Sequence, residues 1–352
     1  MQLPEQKSIS IRLLAQVFNN TSATYKFYWF ISILEIYTKK RENKIAIHEI
    51  IARMIANAWY PVHYFRLSFG LQDMFSESIK EIQAITNIAV DIDKDTLQAL
   101  LMSNTDKRVR SLMNNFSLQV PYRFLSPWIP YTSDRNMMES SRAFQNDCLY
   151  SITSDKAIAI NEKWCEYLLK NNKILLDFCY WNLTMYLQSK NPNVPDLANK
   201  LIKPILRNAL TLQRAYWEIV FDAGIEIECI YTGKILRKES YALEHFIPWS
   251  FVAHDLQWNL LPSDKVTNCS KGNKLPSLDL YFSKFVATQK YGLDIVFSGH
   301  PHNKKLEDFT VFGFPASDLA KMSLYNFNQL YYKTVSPMVQ IAENMGFEQW
   351  KR

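Results

Sequence analysis

Glycine is spread so unevenly along this chain that it divides the chain before any motif is read. Residues 1–223 contain one glycine, Gly70, and residues 224–352 contain the other seven. Backbone turns with positive φ lean on glycine. The first part is therefore expected to hold long helices with few tight turns, and the second to hold hairpins and loops. Eight glycines in 352, against a usual ~7%, also leave little for a glycine-rich phosphate loop, and neither G-x-G-x-x-G nor G-x-x-x-x-G-K-[ST] occurs.

The apolar pattern supports the helical reading. Ile9, Leu13, Leu14 and Val17 share one stripe over 8–18, residues 24–38 have a broad apolar face, and Ile47, Ile50, Ile51, Met54 and Ile55 recur at helical spacing over 45–58. Pro61 is expected to end or bend that helix. Further helices are expected at 73–87, 95–104, 106–116, 134–145 and 161–189, and at 195–223 with a break near Pro204. Residues 120–131 carry Pro121, Pro127 and Pro130 and should be irregular. Hydrophobic residues at 48% and charged residues at 21% belong to a folded globular chain, not a disordered one.

The net charge of +6 is compatible with a polyanion partner but does not require one. The five cysteines form no C-x-x-C, so a four-cysteine zinc site has no support, and their odd, scattered placement reads as a reduced, cytoplasmic protein. The start MQLPEQKSIS does not read as a signal peptide. The greasiest early stretch, 25–37, is short of the ~20 apolar residues of a membrane span and contains Lys26 and Glu35, so no membrane partner is expected.

After Gly224 the texture changes. Residues 225–232 alternate and are rich in β-branched and aromatic side chains, Thr232-Gly233-Lys234 signals a turn, and 241–247 reads as a second strand stopped by Pro248. Residues 264–273 read as a short helix closed by Gly272 and Pro276. The expected architecture is α+β and mainly helical: a helical region over 1–223, a ββα module over 224–276, and a mostly helical segment over 277–352 packing on it.

The ββα stretch holds the unusual residues. Glu244 and His245 are adjacent near a strand end, with Asn259 and Asn268 following and Lys271 and Lys274 just beyond. Phosphodiester hydrolysis needs a base near neutrality, for which imidazole is suited. It needs a divalent cation, and Mg²⁺ accepts one carboxylate and one amide oxygen with waters completing its shell. It also needs cations to hold neighbouring phosphates. The stretch supplies His245 as base, Glu244 and Asn268 as metal ligands, and Lys271 and Lys274 as phosphate holders. Adjacent strand residues face opposite ways, so Glu244 and His245 converge on one ion only if the strand bends there, as Pro248 encourages.

This stretch resembles the HNH endonuclease motif, and is most similar to the HNH nuclease domain of RNA-guided CRISPR effector nucleases. That family reads acidic residue and His, then Ile-x-Pro, an Asn, then Asn-x-x-Lys; residues 229–236, CIYTGKIL, also resemble its first hairpin. The resemblance covers 229–276. It implies that His245 is the general base, that Glu244 and Asn268 bind Mg²⁺ or Mn²⁺, that Asn259 ties the loop to the strand, and that Lys271 is the basic helix position. The acidic ligand is Glu where Asp is commoner. The cysteine pairs that hold structural zinc in many HNH proteins are missing, so no structural zinc is expected. Nothing resembles the second nuclease domain or the guide-binding parts of the CRISPR enzymes.

The resemblance implies a metal-dependent endonuclease cutting DNA, in restriction or anti-phage defence, as a homodimer or with a partner defence subunit. The rival readings are a catalytically silent nucleic-acid-binding protein and an RNA-directed nuclease or toxin. Residues 229–276 carry six Lys or Arg against four acids, too small an excess for tight DNA binding, so further contacts should come from elsewhere. Other features read more plainly: His254 and Asp255 as exposed loop in preference to a supporting contact behind the site, Cys269 as a packed helix cysteine, His300 and His302 as a polar loop, and Tyr28, Trp29 and Phe30 as core. Lys39, Lys40, Arg41 and Lys44 read equally as a phosphate track or a solvated helix end.

Overall fold

The computed structural model describes residues 2–204 and 209–351. It divides the chain into two compact units, one of residues 1–192 with 200–203, the other of 193–199 with 204–352. The helical region expected over 1–223 is thus shared between them, and the part of the expected 195–223 helix at 205–208 lies outside the described residues.

The first unit is built on α1 (Tyr25–Lys40) and α2 (Ile47–His63), followed by α3 (Met74–Thr86), α4 (Lys94–Ser103), α5 (Lys107–Ser117), α6 (Asp134–Arg142), α7 (Glu162–Lys170) and α8 (Asn172–Lys190). Tyr28, Trp29 and Phe30 are fully buried, as the core reading expects. Pro61 lies inside α2, which runs two residues beyond it. The expected 161–189 helix is two helices meeting at Asn171. Aspartates open α3, α4 and α5, each accepting from a backbone N–H of the first turn.

An unforeseen three-stranded antiparallel sheet sits in this unit: β1 (Lys44–Ala46), β2 (Tyr150–Ile152) and β3 (Ala157–Ile160), with β3 central. Trp29 Nε1 donates to Tyr150 Oη at 3.1 Å, and that hydroxyl donates to Pro121 O at 2.6 Å, joining α1 to the sheet. Three lysines of the basic run are engaged in ion pairs, Lys39 with Asp95, Lys40 with Glu49 and Lys44 with Asp155, which favours the helix-end reading over a phosphate track. Between α1, α2 and α4, Glu35 takes Arg53 Nε at 2.6 Å and Asn57 Nδ2 at 2.8 Å on one oxygen and Lys94 Nζ at 2.9 Å on the other.

In the second unit, α9 (Thr211–Asp222) and α11 (Leu278–Gly299) cross closely. A Cβ at Gly292 would come within 3.1 Å of the Trp217 ring. Trp217 Nε1 in turn donates to Leu260 O at 3.2 Å. Strand β4 (Ala242–His245) pairs antiparallel with β5 (Leu260–Ser263), placing Glu244 opposite Leu261 and His245 opposite Leu260. Helix α10 (Lys265–Lys271) follows β5, capped by Asp264, which accepts from Thr267 N. The second strand of the ββα unit is therefore the stretch after Asn259. Residues 225–232 instead form a loose hairpin with one bridge, Glu228 to Ile235. Packing more than pairing holds it, since Ile227, Cys229, Ile230 and Tyr231 are buried in the core of this unit.

Helix α11 and the long α12 (Leu324–Asn344) enclose the module. Phe246 stacks on Phe285 of α11 with centroids 4.0 Å apart and planes 4° from parallel. The expected 316–345 helix is interrupted at 322–323. The chain then returns to the module: Leu275 N donates to Glu348 O at 2.9 Å, and Trp350 N donates to Leu275 O at 2.7 Å.

Candidate active site

The site begins at the end of β4. Strand pairing stops at His245, and Asn259 takes over the backbone beyond it. Phe246 N donates to Asn259 O at 2.9 Å. Ile247 N donates to Asn259 Oδ1 and Asn259 Nδ2 to Ile247 O, both at 2.8 Å. A side-chain amide has one acceptor and two donors, so this residue pairs both polar groups of one peptide neighbour where no strand does. Asn259 is wholly buried.

Pro248 then starts a single helical turn, Trp249–Val252, and Ala253 reverses the chain at φ 56°. A non-glycine residue there costs on the order of 1 kcal/mol. The reversal brings Asp255 back over the strand end, where its Oδ1 lies 2.9 Å from His245 Nε2. The two side chains are 10% and 20% exposed. Asp255 is itself anchored, its carbonyl accepting from Gln213 Nε2 of α9 at 2.8 Å. The expectation that Asp255 is merely exposed loop is thus replaced by a direct contact with His245. The signal available in the sequence was only a carboxylate ten residues past the histidine, in a loop whose path could not be read.

Glu244 faces a different set of groups. Its Oε2 accepts from Tyr231 Oη at 2.7 Å, and its Oε1 lies 2.5 Å from Lys271 Nζ, an ion pair by distance that lacks hydrogen-bond geometry. Lys271 Nζ also donates to His245 O at 2.9 Å, fastening α10 to β4. Burial first, then the Glu244 charge, holds the Tyr231 hydroxyl well above its ordinary pKa, so it stays a donor. Glu244 and His245 thus keep the opposite facings of a strand. Lys271, expected to hold phosphate, is almost wholly buried against Glu244, whereas Lys274 is exposed.

Asn268 lies on α10 one turn before Lys271, half-buried, and no side-chain hydrogen bond engages it among the described residues. Its amide oxygen and the Glu244 carboxylate are hard donors of the kind Mg²⁺ and Mn²⁺ accept. Glu244 Oε1 is already taken by the Lys271 ammonium and the side chain is 2% exposed, so a cation would reach this carboxylate only by displacing Lys271. No cluster of three His, Cys, Asp or Glu side chains with metal-binding spacing occurs among the described residues.

Cys229 stitches the hairpin to the start of α10, its Sγ accepting from Asp264 N at 3.5 Å beside Ser263 Oγ at 3.7 Å. Burial alone would raise this thiol, but the donors around it bring it below its ordinary pKa. Cys269 is exposed instead of packed. His300 and His302 are exposed, in keeping with a polar loop. No described helix is long and apolar enough to cross a membrane.

No curated protein and no solved structure matches the chain. One family model does, over the hairpin, both strands and helix α10 just described: residues 229–277 match HNH_4, HNH endonuclease, and in this stretch the chain is similar to that family.

Proposed function

We propose that the protein is a divalent-metal-dependent endonuclease that hydrolyses DNA phosphodiester bonds, serving in restriction or anti-phage defence. The observation that carries this reading is the end of β4. There a histidine is held at a strand terminus by the Asn259 clamp on one side and a carboxylate on the other, inside a stretch that matches the HNH endonuclease model.

In this reading His245 takes a proton from water as the water oxygen bonds to phosphorus and the ester oxygen departs. Glu244 and Asn268 would hold one Mg²⁺ or Mn²⁺. Such an ion stabilises charge on the phosphoryl and leaving oxygens when bound. Tyr231 fixes the Glu244 carboxylate, Asn259 braces the backbone that carries His245, and Lys274 meets a neighbouring phosphate. One such site cuts one strand per visit.

The test is incubation with supercoiled plasmid, linear duplex and RNA, with and without Mg²⁺ or Mn²⁺, beside His245→Ala. Metal-dependent nicking of DNA that falls by ~10²–10⁴ in the variant, with DNA binding kept, is the expected result. Cleavage of RNA alone would favour the RNA-directed reading, and a His245→Ala enzyme as fast as wild type would remove the catalytic assignment.

A further inference from the structure

We propose that Asp255 is the positioning residue for His245, fixing which ring nitrogen accepts the proton; this rests on the reading of His245 as the base. An ionised carboxylate can only accept a hydrogen bond. With Asp255 Oδ1 2.9 Å from Nε2, a neutral His245 must carry its hydrogen on Nε2 and its lone pair on Nδ1. The other tautomer would set a lone pair against a carboxylate. The contact therefore selects Nδ1 as the basic atom and sets the plane of the ring about the line to Asp255.

The surroundings show that Asp255 is held for this contact. Its carbonyl is tied to Gln213 of α9, and the next turn is tied down by Gln257 N donating to Asp308 Oδ2 at 2.9 Å. The backbone that carries Asp255 is thus held from two elements outside the loop, and Ala253 accepts a left-handed backbone to deliver it. When the water proton passes to Nδ1, the resulting imidazolium faces the Asp255 charge.

The experiment reads the ring and the reaction separately. In ¹⁵N spectra of the full chain, with His245 assigned by its loss in His245→Ala, neutral His245 should show a protonated Nε2 and an unprotonated Nδ1. Asp255→Asn, whose amide can donate as well as accept, should release that preference. Asp255→Ala should lower kcat by about 10–100-fold with KM for DNA and the Mg²⁺ requirement little changed, and Asp255→Glu should recover part of the loss. A wild-type His245 protonated on Nδ1 would overturn the proposal, as would a kcat unchanged in Asp255→Ala. Activity of Asp255→Ala restored by raising Mg²⁺ would overturn it too, by making Asp255 a metal ligand. If the wild-type chain cuts no nucleic acid, the nuclease reading fails while the ring spectra still decide the role of Asp255.

Discussion

Lys271 Nζ and Glu244 Oε1 sit 2.5 Å apart with their side chains 1% and 2% exposed, so neither charge has water to fall back on. Removing one partner of such a pair typically costs ~3–5 kcal/mol, because the other charge is left buried and uncompensated. Lys271→Met should therefore destabilise the protein by about that much in denaturant unfolding. Glu244→Gln with Lys271→Met together should cost clearly less than Lys271→Met alone. A double loss equal to the sum of the Lys271→Met and Glu244→Gln losses would mean that the two groups are not energetically coupled.

Asn259→Ala should strand the N–H and C=O of Ile247, both bonded to the amide in the native protein. Each buried group left unpaired costs about 1–3 kcal/mol, so for the two groups a loss of ~2–6 kcal/mol is expected. Asn259→Asp keeps the acceptor for Ile247 N but turns an oxygen toward Ile247 O, and should recover little. Hydrogen exchange at the Ile247 amide is the local measurement, and unchanged protection in Asn259→Ala would contradict it.

Cleavage should stop in excess EDTA and return with Mg²⁺ or Mn²⁺, since the proposed donors are oxygens. The purified protein should also fold without zinc, because Cys229 is occupied by Asp264 N and Ser263 and has no C-x-x-C partner. Tightly held, stoichiometric zinc in elemental analysis would contradict this.

The Glu35 network makes a pH prediction for the first unit. Burial alone would raise the Glu35 carboxyl, but Lys94 and Arg53 outweigh it and hold the pKa below the usual value. A depressed carboxyl stabilises the fold above its unfolded pKa, and that stability is lost as pH falls through the folded one. Glu35→Gln should therefore be less stable than wild type at pH 7, by on the order of 2 kcal/mol, less than for a fully buried pair because Lys94 is 37% exposed. The difference should vanish below the depressed pKa. A constant difference from pH 7 to 3 would show that the charge is not responsible.

The helices of the first unit were legible because their buried residues repeat at helical spacing. The sheet of that unit was not, since β1, β2 and β3 are three or four residues long, too short for alternation to show. In the module, Asn259 stood out in the sequence, but β5 did not. Leu260, Leu261 and Pro262 form a continuous apolar run buried on both sides, while the better-alternating 225–232 is only a loose hairpin. The relation of Asp255 to His245 and of Lys271 to Glu244 depends on where a loop and a helix return, which spacing along the chain does not encode.

The return of residues 347–350 has a practical side. Leu275 gives its N–H and C=O to that segment, Trp350 Nε1 reaches Ser270 Oγ at 3.3 Å, and the Trp350 ring meets Tyr231 edge-on at 5.2 Å. Tyr231 is the residue that holds Glu244. A fragment cut to the family match would therefore begin and end in the right places by sequence yet lose the backing of its own carboxylate. The smallest autonomous unit around this site has to be drawn by hydrogen bonds, and that drawing reaches past residue 277 to Trp350.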